Sequence, residues 1–221
     1  MGARALGTAD GYGGYRQQLV DALREKGIHD LAVLRAVATV PRHRFVPQSV
    51  VHRAYEDSAL PIAAGQTISQ PYVQARSLEA LRLTGSEKVL EVGAGSGYQT
   101  ALLAELAGNV IAVERLATLA EQARATLAEL GFRNVSLVLG DGTLGWRSLA
   151  PFDAIVVAAA SPEVPRPLAE QLAPGGRMVI PIGDRREQIL MLVEKVGQEL
   201  RQAPLSDVRF VPLLGEFGFR G

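Results

Sequence analysis

Apolar residues in the second half of the chain recur as short runs separated by segments with helical spacing. The runs predict five strands, at 89–92, 109–114, 135–139, 152–158 and 178–182. Helical spacing predicts three helices: one over 100–106, one that ends at Leu130 and one that ends at about Leu172. Strands that alternate with helices favour a parallel sheet with both faces covered. We therefore predict an α/β fold with a doubly wound, mostly parallel sheet.

The pattern differs at the two ends of the chain. Near the N-terminus, helices are predicted from Tyr15 to about Gly27, over 31–38 and from Pro71 to 83, with a proline-rich loop region between the last two. After Glu187, the apolar stretches 189–193 and 208–213 predict two strands that complete the sheet in antiparallel pairing. The fold therefore gains a helical N-terminal extension and antiparallel C-terminal strands.

The domain boundaries follow from these patterns. Residues 1–14 contain five glycines and little apolar spacing, which predicts a flexible tail. Residues 15–221 are expected to form one domain, in which 15–87 is a helical and loop extension on the substrate side and 88–221 is the core.

Composition removes several functional classes. The chain has 221 residues, 48% of them hydrophobic, a formal net charge of zero and no cysteine. Cysteine nucleophiles, disulfides and cysteine-ligated metals are thus excluded, and no bulk positive charge favours nucleic-acid binding. Three separated histidines do not indicate a metal site. Without a membrane-spanning run or a secretory signal, we expect a soluble, cytoplasmic protein, and the neutral composition favours a monomer.

Glycines mark the turn between the first strand and the first helix of the core. Gly93, Gly95 and Gly97 give the spacing G-x-G-x-G, and Tyr98 stands where a dinucleotide fingerprint needs its third glycine. Glu114 ends the second strand, and a third strand ends before Asp141. Taken singly, Glu114 could be a solvated strand end and Asp141 a turn former. Together they favour a nucleoside without phosphates, namely S-adenosylmethionine.

Two competing catalytic motifs fail at this turn. A nucleophile elbow centred on Ser96 needs glycines where the chain has Ala94 and Tyr98. A phosphate-binding Walker loop needs a lysine that the turn lacks. Tyr98 and Trp146 could stack on adenine, but packing is the better reading of both.

Several stretches in order along the chain are similar to protein-L-isoaspartate O-methyltransferases. The most specific are GQTISQP at 65–71 and PRHRFVP at 41–47. The others are 54–57 with 60–62, the glycine turn at 91–97, and the segments 140–142, 151–155, 174–177, 181–183 and 208–213. The resemblance covers about 15–214. The chain departs from some relatives at 72–74, and its residues after Leu213 support no transfer of the contacts that relatives make from their C-terminal ends.

The resemblance implies an enzyme that transfers a methyl group from S-adenosylmethionine to the α-carboxylate of L-isoaspartyl residues in damaged proteins and peptides, with no metal. It assigns Ser69 to the active site. Around the cofactor, the family motifs and the glycine turn together place Gln66, Thr67, Ile68, Gly93, Gly95, Ser96, Gly97, Glu114, Asp141 and Gly142.

Alternatives remain open from the residues alone. Ser69 could cap the helix that starts near Pro71, because serine is a common cap. The run Arg42-His43-Arg44 could attract acidic peptides, although a solvated loop is the simpler reading. The function could also be that of a methyltransferase with a small-molecule or RNA acceptor, or of a nucleoside-binding protein without activity.

Overall fold

The computed structural model describes residues 11–220. The N-terminal part consists of helices α1 (Gly13–Glu25), α2 (Leu31–Thr39) and α3 (Pro71–Leu81), with a small hairpin of β1 (Leu60–Pro61) and β2 (Thr67–Ile68) before α3. Asp30 caps α2, because its carboxylate accepts hydrogen bonds from the backbone of Ala32 and Val33. The helical extension is therefore confirmed. Helix α1 begins two residues before the predicted start, and residues 1–10 of the predicted tail lie outside the described part.

A seven-stranded sheet forms the rest of the molecule. In chain order it comprises β3 (Lys88–Val92), α4 (Tyr98–Leu106), β4 (Asn109–Glu114), α5 (Ala117–Glu129), β5 (Val135–Leu139), β6 (Phe152–Val157), α6 (Arg166–Gln171), β7 (Leu172–Gly183), β8 (Gln188–Val196) and β9 (Glu199–Val208). The spatial order is β5-β4-β3-β6-β7-β8-β9. Strands β3 to β7 are parallel to one another, whereas β8 pairs antiparallel with β7, and β9 pairs antiparallel with β8. The predicted fold class is confirmed.

Alternate residues of the central strands feed two hydrophobic cores, one on each face of the sheet. Val89, Ala154 and Val179 pack in the core that includes residues of α1 to α4. Their chain neighbours Leu90, Ile155 and Met178 pack in the other core, with α6. This alternation follows from the two-residue repeat of a strand, and it explains why consecutive residues of β3 and β6 are apolar.

The last strand differs from the sequence prediction. Strand β9 covers Glu199–Val208 and pairs with β8, whereas 208–213 was predicted. Strand β9 is a half-exposed edge strand, so it carries polar residues and lacks a continuous apolar run. Residues 209–213 run instead beside Ala160, where Leu213 N–H donates to the Ala160 carbonyl at 2.7 Å. Helix α6 ends at Gln171, close to the predicted end, and β7 begins at Leu172, six residues before the predicted strand.

The order of the strands determines which edge of the sheet is suited to bind a ligand. The chain moves outward from β3 to β4 and β5, and then returns to the other side of β3 with β6. Such a reversal leaves a crevice at the carboxyl ends of the strands. Within residues 11–220, no helix is long and apolar enough to cross a membrane.

Candidate active site

The turn between β3 and α4 depends on glycine conformations. Gly93, Gly95 and Gly97 have φ angles of 88°, 55° and 86°, which residues with a Cβ atom rarely adopt. Gly93 N–H donates to the Val113 carbonyl at 2.8 Å, so the turn is anchored to the neighbouring strand. A side chain at Gly97 would place its Cβ 3.0 Å from that of Ala123, so this glycine lets α4 approach α5. The backbone thus lies open at the end of the sheet.

Glu114 closes β4 beside this turn. Its side chain is only 5% exposed. Its Oε2 accepts from Gly95 N–H at 2.8 Å, and its Oε1 accepts from the backbone of Arg115 and Leu116 at 2.8 and 2.9 Å. Three backbone donors fix the carboxylate at the cavity wall. A carboxylate oxygen can accept two hydrogen bonds, so Oε2, which has one donor, can still accept from a ligand hydroxyl.

A cavity of about 310 Å³ lies over the carboxyl ends of β3, β4 and β6. This volume is within the range of small-molecule sites. The loop before α3 and the C-terminal segment also line it. The predicted site residues on its wall are Gln66, Thr67, Ile68, Ser69, Gly93, Gly95, Ser96, Glu114 and Gly142. Nine of the eleven predicted site residues therefore meet in one space. Gly97 and Asp141 are not on the wall.

Ser69 follows the β1–β2 hairpin and precedes α3. It is partly exposed, and its hydroxyl has no hydrogen-bond partner within residues 11–220. The N-cap of α3 is Gln70, without a side-chain cap, while the first-turn Tyr72 N–H donates to Asp57 at 2.8 Å. Helix capping by Ser69 is therefore not observed, and the hydroxyl is available at the cavity wall.

Arg42 supports the Ser69 loop from behind. Its side chain is 0% exposed. It donates to the Ser69 carbonyl at 2.9 Å and to Gln74 Oε1 at 3.0 Å, and its guanidinium lies 4.7 Å from the centre of the Tyr98 ring. Burial lowers the pKa of Arg42 to about 10. The interpretation of this position as a solvated loop is thus wrong for Arg42, and the packing role of Tyr98, which is 1% exposed, is confirmed.

Asp141 binds the C-terminal segment. Its Oδ1 accepts from the backbone and hydroxyl of Thr143 at 2.9 and 2.7 Å, and its Oδ2 accepts from Glu216 N–H at 2.9 Å. Burial alone would raise the pKa of Asp141, but these hydrogen bonds hold it below its usual value. The carboxylate therefore fixes residues that follow Leu214, and Val211, Pro212, Leu213 and Leu214 in turn line the cavity.

Comparison with known proteins identifies the family. The model of the protein-L-isoaspartate(D-aspartate) O-methyltransferase family (PCMT) matches residues 14–218. A protein-L-isoaspartate O-methyltransferase from Dictyoglomus thermophilum is 54% identical, with 93% of each chain covered. This chain belongs to the PCMT family.

Solved structures of PCMT proteins have the same architecture. A protein-L-isoaspartate O-methyltransferase matches with a TM-score of 0.82 at 32% identity, over 92% of this chain and 67% of that one. A Plasmodium falciparum protein assigned as a PCMT, solved in complex with S-adenosyl-L-homocysteine, matches with a TM-score of 0.77 at 27% identity, over 90% of this chain and 98% of that one.

Glu91 is a buried acid of this PCMT chain directly behind the glycine turn. It is 0% exposed and accepts hydrogen bonds from Gln99 Nε2 at 3.3 Å and from the Thr100 hydroxyl at 2.5 Å. Burial raises the pKa of Glu91 to about 8, and the charge of Glu114 adds to this effect. Glu91 does not line the cavity; it joins β3 to the first turn of α4.

Several wall residues of this PCMT cavity were not predicted from sequence. The main ones are Gln74, Gln99, Leu116, Leu119, Ala158, Ala159 and the segment 211–214. Most are apolar or lie inside helices, so their sequence context is that of ordinary core residues. Only Ala158 and Ala159 had a positional signal, because they directly follow a strand that ends at this edge of the sheet. Within residues 11–220, no group of three or more acidic or histidine side chains could hold a metal ion.

Proposed function

We propose that this chain is a protein-repair methyltransferase that methylates the α-carboxylate of L-isoaspartyl residues in proteins and peptides, with S-adenosylmethionine as donor. One observation carries the proposal. The hydroxyl of Ser69, which has no hydrogen-bond partner among residues 11–220, shares a cavity with the glycine turn and Glu114. Family membership and the S-adenosyl-L-homocysteine complex of the Plasmodium falciparum relative support the choice of donor.

The residues present fit such a donor. Glu114 offers a fixed carboxylate for the ribose, and the turn from Gly93 to Ser96 exposes backbone that a nucleoside can approach. Leu116, Leu119 and Val113 supply an apolar surface suited to a purine. We assign donor binding to Gln66, Thr67, Ile68, Gly93, Gly95, Ser96, Glu114 and Gly142. Direct contacts of Gly97 and Asp141 with the donor stay predictions.

The chemistry requires positioning more than proton transfer. When bound, S-adenosylmethionine supplies a methyl group on a sulfonium, which passes to a carboxylate oxygen while sulfur keeps the bonding electron pair. The acceptor carboxylate is ionised at neutral pH, so no general base is needed. Ser69 can donate one hydrogen bond to the carboxylate oxygen that does not attack and thereby fix its direction. Ser69 forms no covalent bond in this scheme.

The test is a methyl-transfer assay with labelled S-adenosylmethionine and two peptides that differ only in one L-isoaspartyl or aspartyl linkage. Label on the isoaspartyl peptide alone is expected. Label on both peptides, or on neither, contradicts the proposal and favours a different acceptor or a protein without turnover. We further propose that the protein is cytoplasmic and monomeric. Sedimentation would test the monomer, and cell fractionation would test the location.

A further inference from the structure

Gln74, on the second turn of α3, is held by Arg42 in one orientation. The guanidinium carries only donors, so the amide oxygen of Gln74 must face it. The observed contact, Arg42 Nη1 to Gln74 Oε1 at 3.0 Å, meets this requirement. The amide nitrogen is thereby directed away from Arg42. Arg42 cannot rotate freely, because its other terminal nitrogen binds the Ser69 carbonyl.

The amide nitrogen of Gln74 is open to the cavity. Gln74 is 4% exposed and lines the same cavity as Ser69. Its nitrogen has no hydrogen-bond partner within residues 11–220. The nitrogen is nevertheless not fully enclosed; in this part of the chain, the fully enclosed side-chain atoms without a partner are Arg42 Nε, Ser161 Oγ and Ser206 Oγ. A buried amide with two free donors on a cavity wall requires an acceptor from outside the protein.

The local charge favours an anionic acceptor. Arg42 is buried, and none of its direct hydrogen bonds goes to a carboxylate. The carboxylate of Asp57 offsets part of this buried charge. The low-dielectric surroundings extend the remaining field of Arg42 toward the cavity. An anion that binds beside Gln74 and Ser69 would be separated from the guanidinium of Arg42 only by the Gln74 side chain.

We propose that Gln74 is a second substrate-binding residue, whose amide N–H donates to the acceptor carboxylate alongside the Ser69 hydroxyl. This inference rests on the proposed function and extends it. Two donors on one carboxylate would fix both the position and the rotation of the group, which in-line transfer requires. Arg42 is the positioning residue, because it sets the amide orientation and holds the Ser69 backbone.

The proposal is tested with Gln74→Glu and Gln74→Met. In Gln74→Glu the carboxylate still accepts from Arg42, so the fold is kept, but a charged oxygen replaces the free donor. Gln74→Met removes the donor without adding charge. Both should raise KM for the isoaspartyl peptide about tenfold or more, with the larger rise for Glu. The affinity for S-adenosylhomocysteine, measured by calorimetry, should stay within about twofold of wild type.

Gln18→Glu on the exposed face of α1 is the matched control, because it makes the same change in net charge. It should leave KM unchanged. A wild-type KM in both Gln74 variants, or a loss of S-adenosylhomocysteine affinity in place of peptide affinity, overturns the role of Gln74 while the proposed function stands. If wild-type protein neither methylates the peptide nor binds it in the presence of S-adenosylhomocysteine, the proposed function itself fails, and this inference fails with it.

Discussion

Ser69 and Glu114 reach one cavity from different parts of the chain, and their hydrogen bonding differs. Glu114 is fixed by three backbone donors, whereas the Ser69 hydroxyl has no partner within residues 11–220. A fixed carboxylate suits the ribose of the donor, which takes no part in the reaction. A free hydroxyl suits a group that must meet an incoming substrate. Substitutions at the two residues should therefore affect different kinetic constants.

Ser69→Ala tests the orienting role. The variant should lower kcat by more than about tenfold, because one hydrogen bond that fixes the acceptor carboxylate is lost in the transition state. Its Tm should stay close to that of wild type, since the hydroxyl makes no hydrogen bond in the described part of the chain. Steady-state kinetics with an isoaspartyl peptide measure the first effect, and thermal melting measures the second. Wild-type turnover would remove Ser69 from the mechanism.

Glu91 should make stability depend on pH. Its pKa is about 8 in the folded protein against an ordinary value of 4.5, so between these values the folded state keeps a proton that the unfolded state releases. The stability contributed by Glu91 is therefore complete below about pH 4.5, decreases as pH rises and is lost above about pH 8. Glu91→Gln keeps an acceptor for Gln99 and does not ionise.

The Tm of Glu91→Gln should accordingly rise relative to wild type on going from about pH 5 to about pH 9. Melting curves of both proteins across this range provide the measurement. A Tm difference that is the same at all pH values would show that Glu91 does not titrate as its burial requires.

At the scale of elements, the segment 211–216 connects Asp141 to the cavity wall. A Cβ atom at Gly215 would lie 2.2 Å from Asp141 Oδ1, and that carboxylate is held in place by Thr143. Gly215→Ala should displace the segment and weaken S-adenosylhomocysteine binding several-fold, because residues 211–214 form part of the wall. Calorimetry measures this change. Gly13→Ala, where no atom lies within 4 Å of the added Cβ, is the control.

Elements with a strong local pattern were predictable from the sequence, and those defined by distant partners were not. Strands β3, β4 and β6 contain apolar runs because they are buried on both faces, so these runs are visible in the sequence. Strand β9 is an exposed edge, and 211–213 is apolar because it packs beside Ala160 and the cavity. Hydrophobicity alone cannot distinguish a strand from a covering segment.

The candidate site was predictable where a motif marks it. Gly93 and Gly95 of the glycine turn, which the G-x-G-x-G spacing indicated, are on the cavity wall. Residues 66–69, which the family resemblance indicated, are on the same wall. Arg42 and Gln74 were missed because their bond joins residues 32 positions apart, and nothing local marks an arginine as buried. Asp141 forms a turn and also accepts a hydrogen bond from Glu216 N–H. Its position in the sequence was therefore compatible both with a turn former and with a site residue.

At the scale of the whole molecule, the N-terminal extension and the sheet share one hydrophobic core. Leu23 of α1, Leu34 of α2 and Leu78 of α3 pack in the same cluster as Val89 and Val179 of the sheet. Arg177 on β7 donates to the Leu81 carbonyl at the end of α3, and Arg82 forms an ion pair with Glu194 on β8. We therefore expect residues 15–221 to unfold as one cooperative unit.

Binding of S-adenosylhomocysteine should shift that single transition as a whole, because the cavity is built from both parts of the chain. At a ligand concentration about 100 times Kd, binding stabilises by about 2.7 kcal/mol, which raises Tm by about 5–11 °C in a protein of this size. Ser69→Ala should keep this shift, and Glu114→Ala should lose most of it. Calorimetric melting of the three proteins, with and without ligand, tests the expectation. Two transitions of which one moves, or an equal shift in Glu114→Ala, would contradict it.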